Sequence, residues 1–136
     1  MSNLAVVQQL YAALNNRDAA AARGLFAPEI EWNQTAGFPG GGRHVGPEAV
    51  LHEVLEKHHD DWTEWQAVVH QFLEAGESIV ALGEYRGTHR ETDRSMTAAF
   101  AHVYDLKDGK IVRFRQFADT ARIREALPAH ILTRPM

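Results

Sequence analysis

Apolar residues at Leu4, Val7, Tyr11 and Leu14 recur at the spacing of one helix face, which predicts a first helix capped by Ser2 or Asn3 with Tyr11 turned inward. The polar run "NNRD" ends it. Asp18 is placed to cap a second helix through "AAAARGLF", and Pro28 is expected to stop that helix because proline brings no amide donor. The two helices should form a hairpin. "EIEWN" reads as a short strand, with Trp32 and Gln34 on one face and Glu31 and Asn33 on the other. The glycine-dense "TAGFPGGGRHVG" reads as a flexible loop with Phe38 at its tip. Pro47 and Glu48 suit the first turn of a third helix, whose apolar face runs through Val50, Leu51, Val54, Leu55, His58 and Trp62.

Beyond that helix the period falls to two. "TEWQAVVHQFLEA", "SIVALGEYRGTH", "SMTAAFAHVYDLK" and "GKIVRFRQFA" are four strands, the first pair joined around Gly76 and the last through Asp108-Gly109, a strong hairpin signal. Asp119 then caps a short closing helix, "DTARIREAL". Helices first and a run of hairpins afterwards indicate an α+β fold.

Length and composition narrow the function classes. A chain of 136 residues with 45% hydrophobic content fits one domain, 1–136, with an ordered core over about 3–127 and a tail at 128–136. The net charge is -4 and the 14 Lys and Arg residues form no basic stripe, so nucleic acid is not an expected partner. Apolar runs fall short of the roughly 20 residues that span a bilayer, and the first residues lack the pattern of a signal peptide, so no membrane association and a cytoplasmic location are expected. Without cysteine, chemistry must come from His, Tyr, Asp, Glu or Lys.

Several features invite a bland reading. Arg86, His89, Arg90 and Arg94 are interleaved with Glu84, Glu91 and Asp93 and read as a solvated turn. In "HEVLEKHH", His52, Glu56 and His59 share a helix face, but position 56 is Glu where a zinc-protease pattern has its second His, and no metal is expected. The glycine loop follows no strand that feeds a phosphate-cradling helix, so no nucleotide cofactor is expected. Trp62 and Trp65 cannot both reach a pocket; at least one belongs to the core or to a dimer interface.

The order of elements, with "LYAALNNRDAAAARGLFAPEIEW" and "FAHVYDLKDGKIVRFRQFADT", resembles the nuclear transport factor 2-like superfamily, and within it the SnoaL-like polyketide cyclase and ketosteroid isomerase-related group. The resemblance covers nearly the whole chain. It implies a cone-shaped, cystatin-like roll: a strongly bent, mixed, mostly antiparallel sheet wrapped around N-terminal helices, enclosing an apolar pocket, in a homodimer built on the outer sheet face. Alternation along the strands puts Phe100, His102, Tyr104 and Leu106 on one face, with Val112, Phe114, Gln116 and Ala118, and Ala81, Gly83, Tyr85 and Gly87, on their neighbours. Matching to the family turns these sets inward, joined by Tyr11, Trp32 and Gln34.

Ketosteroid isomerases move a proton with a carboxylate base while a tyrosine and a protonated aspartic acid hold the oxyanion. Tyr11 matches that tyrosine, Gln34 stands at the base, and His102 falls at the second acid when the hairpin turn is shortened by one residue. The SnoaL-like cyclases pair a pocket histidine with an aspartate on the last strand; His102 fits the former and Gln116 replaces the latter. An amide does not accept a proton at neutral pH, so both usual carboxylate bases are replaced. A limonene-epoxide-hydrolase-like set of Asp, Arg and Asp has no strand to supply its two aspartates.

Three readings follow. In the first, an isomerase or cyclase-like enzyme without cofactor acts on an apolar carbonyl compound: His102 is the acid or base, Tyr11 the oxyanion donor, and Trp32, Gln34, His58, Tyr85, Phe100, Tyr104, Phe114 and Gln116 bind substrate. In the second, the pocket only binds or carries a small hydrophobic ligand, with His102 and Gln116 satisfying each other across neighbouring strands. The third is a dimeric adaptor.

Overall fold

The computed structural model describes residues 1–132. Helix α1 (Asn3–Asn15) starts where Ser2 Oγ accepts from the Ala5 amide at 3.1 Å, and it buries Val6, Val7, Leu10 and Tyr11. Helix α2 (Ala19–Arg23) is capped by Asp18 in the same way but ends at Gly24. Pro28 therefore does not stop it. The chain has already entered strand β1 (Phe26–Gln34), and Pro28 lies in the stretch between Phe26 and Glu31 where pairing with the neighbouring strand shifts register, the kind of place a residue without an amide donor is tolerated.

The glycine-dense segment corrects a second expectation. Part of it is strand β2 (Gly42–Val45), antiparallel to β1, and Phe38 is fully buried rather than exposed at a loop tip. The loop is pinned by Phe38 N–H donating to the Thr35 carbonyl and Gly41 N–H to that of Phe38. A Cβ on Gly41 would sit 2.8 Å from the Thr35 carbonyl oxygen, so only glycine permits this tight path.

The next helical stretch runs α3 (Pro47–Ala49), a π-helical segment Val50–Leu55 and α4 (Glu56–Asp61). The wider turn keeps Val50, Leu51 and Val54 on the core and still brings His58 inward. Trp62 begins β3 (Trp62–Ala75) instead of ending the helix. With β4 (Ser78–His89), β5 (Ser95–Lys107) and β6 (Lys110–Ala118) it forms an antiparallel meander. The six strands lie in the order β2-β1-β6-β5-β4-β3, and β1 runs parallel to β6. This open, mixed, mostly antiparallel sheet with N-terminal helices is the expected α+β architecture.

Inward alternation holds on β4 and β5 but breaks at the start of β6. A register shift between Asp105 and Leu106 sets Ile111 opposite Leu106, so Ile111 is buried where Val112 was expected. The turn after β4 is not merely solvated: His89 is buried, Arg90 donates to the Asp60 and Trp62 carbonyls, and Arg94 donates to that of Leu127. Helix α5 (Thr120–Glu125) is capped by Asp119, and Ala129–Leu132 forms a further helical turn, α6, inside the expected tail. The rest of that tail, 133–136, lies outside the described residues. No helix among the described residues is long and apolar enough to cross a membrane.

Candidate functional site

Tyr11 on α1, Tyr85 on β4, His102 and Tyr104 on β5 and Gln116 on β6 meet on the buried inner face because each occupies an inward position of its element. His102 lies between two phenols, with Tyr11 Oη 2.6 Å from Nδ1 and Tyr85 Oη 2.5 Å from Nε2. Tyr104 donates to Tyr11 at 2.8 Å, and the Gln116 amide donates to Tyr85 at 2.8 Å. The Phe100 ring stacks on the imidazole with centroids 3.8 Å apart. His102 and Gln116 are register partners, yet Tyr85 mediates between them, so they do not satisfy each other directly. The second Gln116 group is also engaged: its carbonyl oxygen accepts from the Thr35 amide at 3.0 Å.

Proton counting constrains this chain. A proton on His102 Nε2 is donated to Tyr85, whose oxygen then accepts twice and whose own proton is left over. A proton on Nδ1 is donated to Tyr11, and the surplus phenolic proton is then that of Tyr11. Either tautomer commits both imidazole nitrogens. Burial lowers the His102 pKa well below its ordinary value, so the ring is neutral at pH 7, and burial raises the pKa values of Tyr11, Tyr85 and Tyr104.

Beside the network lies a cavity of about 40 Å³, lined by Trp32, Gln34, His58, Trp65, Tyr85 and His102 among others. Trp32 Nε1 donates to Gln34 Oε1 at 2.9 Å, which fixes the amide orientation because an indole N–H only donates. Gln34 Nε2 is left buried without a hydrogen-bond partner among the described residues, as is His58 Nε2. Burial and the neighbouring His59 lower the His58 pKa to about 3. Phe38 packs edge-on or tilted against His58, Trp65 and Tyr85, which line this cavity, and itself lines an outer cleft of about 450 Å³.

Of the residues read from the sequence, Trp32, Gln34, His58, Tyr85, His102, Tyr104 and Phe114 line the cavity, whereas Tyr11, Phe100 and Gln116 back it through hydrogen bonds or stacking. Trp65 lines it too, while Trp62 is buried and borders the outer cleft. Of His52, Glu56 and His59, the first two stay together, with His52 held between Glu48 and Glu56, whereas His59 reaches the cavity. Sequence reasoning missed Phe38, and the signal was present: a large apolar residue inside a glycine loop has little reason to stay in water.

Removing the Tyr85 hydroxyl strands both the Gln116 amide and His102 Nε2. Tyr85→Phe should therefore cost about 2 kcal/mol, against about 1 kcal/mol for Tyr104→Phe, where Tyr11 keeps its bond to His102. Urea titration of the two variants checks the order, and equal losses would contradict the network.

The profile of the SnoaL-like domain matches residues 7–114. The chain belongs to the SnoaL-like family. This SnoaL-like protein is similar to an NTF2-like protein from Burkholderia thailandensis E264, with 32% identity, 94% of this chain and 99% of that one covered, and a TM-score of 0.89. It is also similar to an NTF2-like protein of unknown function from Burkholderia pseudomallei K96243, at 30% identity, 95% and 100% coverage and a TM-score of 0.86. TerC, co-crystallised with polyporic acid, shares the fold at 23% identity, 91% and 96% coverage and a TM-score of 0.82. No match was found among curated proteins.

Proposed function

We propose that this SnoaL-like protein binds a small apolar molecule in its inner cavity and does not turn it over by acid–base chemistry. The observation that carries the reading is the state of His102: both nitrogens are held by buried phenols, the ring protonates only well below pH 6.5, and no Asp or Glu stands among the described residues lining the cavity. A base so weak and so fully engaged has neither the free lone pair nor the affinity to remove a proton from carbon. Tyr85 and Gln34 supply hydrogen bonds for recognition instead. TerC, of the same fold, crystallised with polyporic acid, which supports a small organic ligand here.

A homodimer belongs to the same reading. Phe117 points away from the buried Gln116 on β6 and is 55% exposed, an apolar side chain on the outer sheet face that a second copy would cover.

Trp32 and Trp65 line the cavity and report on its occupancy. Titration of a panel of cyclic ketones should quench their fluorescence, with affinity changed less than about threefold, under about 0.7 kcal/mol, in His102→Gln. Enzymatic conversion of a bound ketone that follows a histidine-like titration and vanishes in His102→Gln would overturn the assignment.

A further inference from the structure

The aromatic side chains on β3 and β4 form an ordered series. Trp62 borders the outer cleft of about 450 Å³, and its indole lies 5.0 Å between centroids from that of Trp65. Trp65 stacks in turn on Tyr85, 4.9 Å away with the planes 29° apart. The series ends at a phenol joined to an imidazole. Packing alone asks only that such rings touch, but indoles and phenols share a second property: they give up a single electron more readily than other side chains without sulfur, and rings in contact pass the vacancy on. Two such contacts run from the outer cleft to a buried hydroxyl.

Loss of an electron turns a phenol into a strong acid. The vacancy therefore settles on a tyrosine when an acceptor for the phenolic proton is already in place. Tyr85 Oη lies 2.5 Å from His102 Nε2, and the Gln116 amide, oriented by the Thr35 N–H at its carbonyl oxygen, donates to the same phenol. With the His102 proton on Nδ1 and donated to Tyr11, Nε2 keeps the lone pair and Tyr85 donates to it. Burial makes this imidazole too weak a base for a carbon acid, yet an oxidised phenol is acidic enough to protonate it. The resulting imidazolium has a phenol oxygen at each nitrogen.

We propose that Tyr85 is a one-electron redox site, fed from the outer cleft through Trp62 and Trp65, with His102 as its proton acceptor. The oxidant is an organic radical in the cleft, which takes one electron from Trp62; Trp65 refills Trp62, and Tyr85 refills Trp65. As Tyr85 gives up that electron its O–H bond breaks and the proton passes to His102 Nε2, which leaves a neutral phenoxyl facing an imidazolium protonated on both nitrogens. The oxidant is reduced by one electron and no atom leaves the protein. A reductant later returns the electron, and the proton goes back to Tyr85. This activity stands apart from ligand binding in the inner cavity.

Flash photolysis with ruthenium tris-bipyridine and persulfate supplies a one-electron oxidant in place of the organic radical, and electron paramagnetic resonance identifies the product. The wild type should yield a neutral tyrosyl radical. The chain has only three tyrosines, so variants assign it: Tyr85→Phe should lose the signal, whereas Tyr11→Phe and Tyr104→Phe should each retain it. Those two assign the radical by elimination should Tyr85→Phe fold poorly. Trp65→Phe should slow the appearance of the radical about tenfold or more, and so should His102→Gln. Absence of a tyrosyl signal from wild type, or its survival in folded Tyr85→Phe, would overturn the site. An unchanged rate in Trp65→Phe would overturn the relay, and an unchanged rate in His102→Gln the role of Nε2 as proton acceptor.

Discussion

Between pH 7 and pH 4 the protein should lose about 3 kcal/mol of stability through His58 alone, since its pKa falls from 6.5 to about 3 on folding. The sign follows from proton counts. In that window the unfolded chain binds a proton at this site and the folded one does not, so unfolding is favoured as pH falls. The loss begins near 6.5 and is complete below about 3. His102, His59 and His89, each with a lowered pKa through burial, act in the same direction. His52 acts against them: Glu56 and Glu48 raise its pKa, so it gains protons on folding. Urea unfolding at half-unit pH steps from 7 to 5 should show a steep decline, and His58→Phe should flatten it by about one proton. A stability that holds level over that range would contradict the buried neutral histidines.

Gly83→Ala should lower stability by about 3 kcal/mol, an overpacking penalty at the upper end of the usual range because backbone is involved. An added Cβ would come within 2.1 Å of the Val68 carbonyl oxygen and 2.9 Å of Phe100 Cζ. The first clash is with backbone and cannot be relieved by a rotamer. The second pushes on the ring that stacks on His102, so ligand-dependent tryptophan quenching should weaken as well. Gly24→Ala is the matched control, since its Cβ would meet nothing closer than 3.6 Å in a helical backbone conformation. It should be neutral or stabilising by a few tenths of a kcal/mol. A thermal midpoint lower by about 10 °C for Gly83→Ala distinguishes the two, and equal midpoints would refute the close approach of β3 and β4 at this position.

The contrast between those glycines shows what a sequence can and cannot disclose. Alternation along β4 and β5 grouped Tyr85 with its neighbours on one strand and Phe100, His102 and Tyr104 on the next, because period two is a local property of extended chain; the family resemblance turned those faces inward, and the structure buries them. The tightness at Gly83 depends on how β3 bends across β4, which no local pattern records. Ile111 replaced Val112 for a similar reason: the shift at Asp105 and Leu106 is a two-strand event. In the site, the residue types were legible and their connections were not. Tyr85 stood among substrate-binding residues, whereas it is the link between His102 and Gln116. Phe38 was read by the glycines around it, and burial of its ring outweighed their flexibility.

The parallel pairing of β1 with β6 bears on the order in which the chain assembles. Strands β3 to β6 are neighbours in sequence and can zip together through three short connections, but Trp32 must find Phe114 across a sequence separation of 82. Closing so long a loop is an entropic barrier best met once its far wall exists. The meander should therefore form in the rate-limiting step, with β1 and its partner β2 docking afterwards, and truncations at Trp32 should accelerate unfolding while leaving the refolding rate nearly as it was.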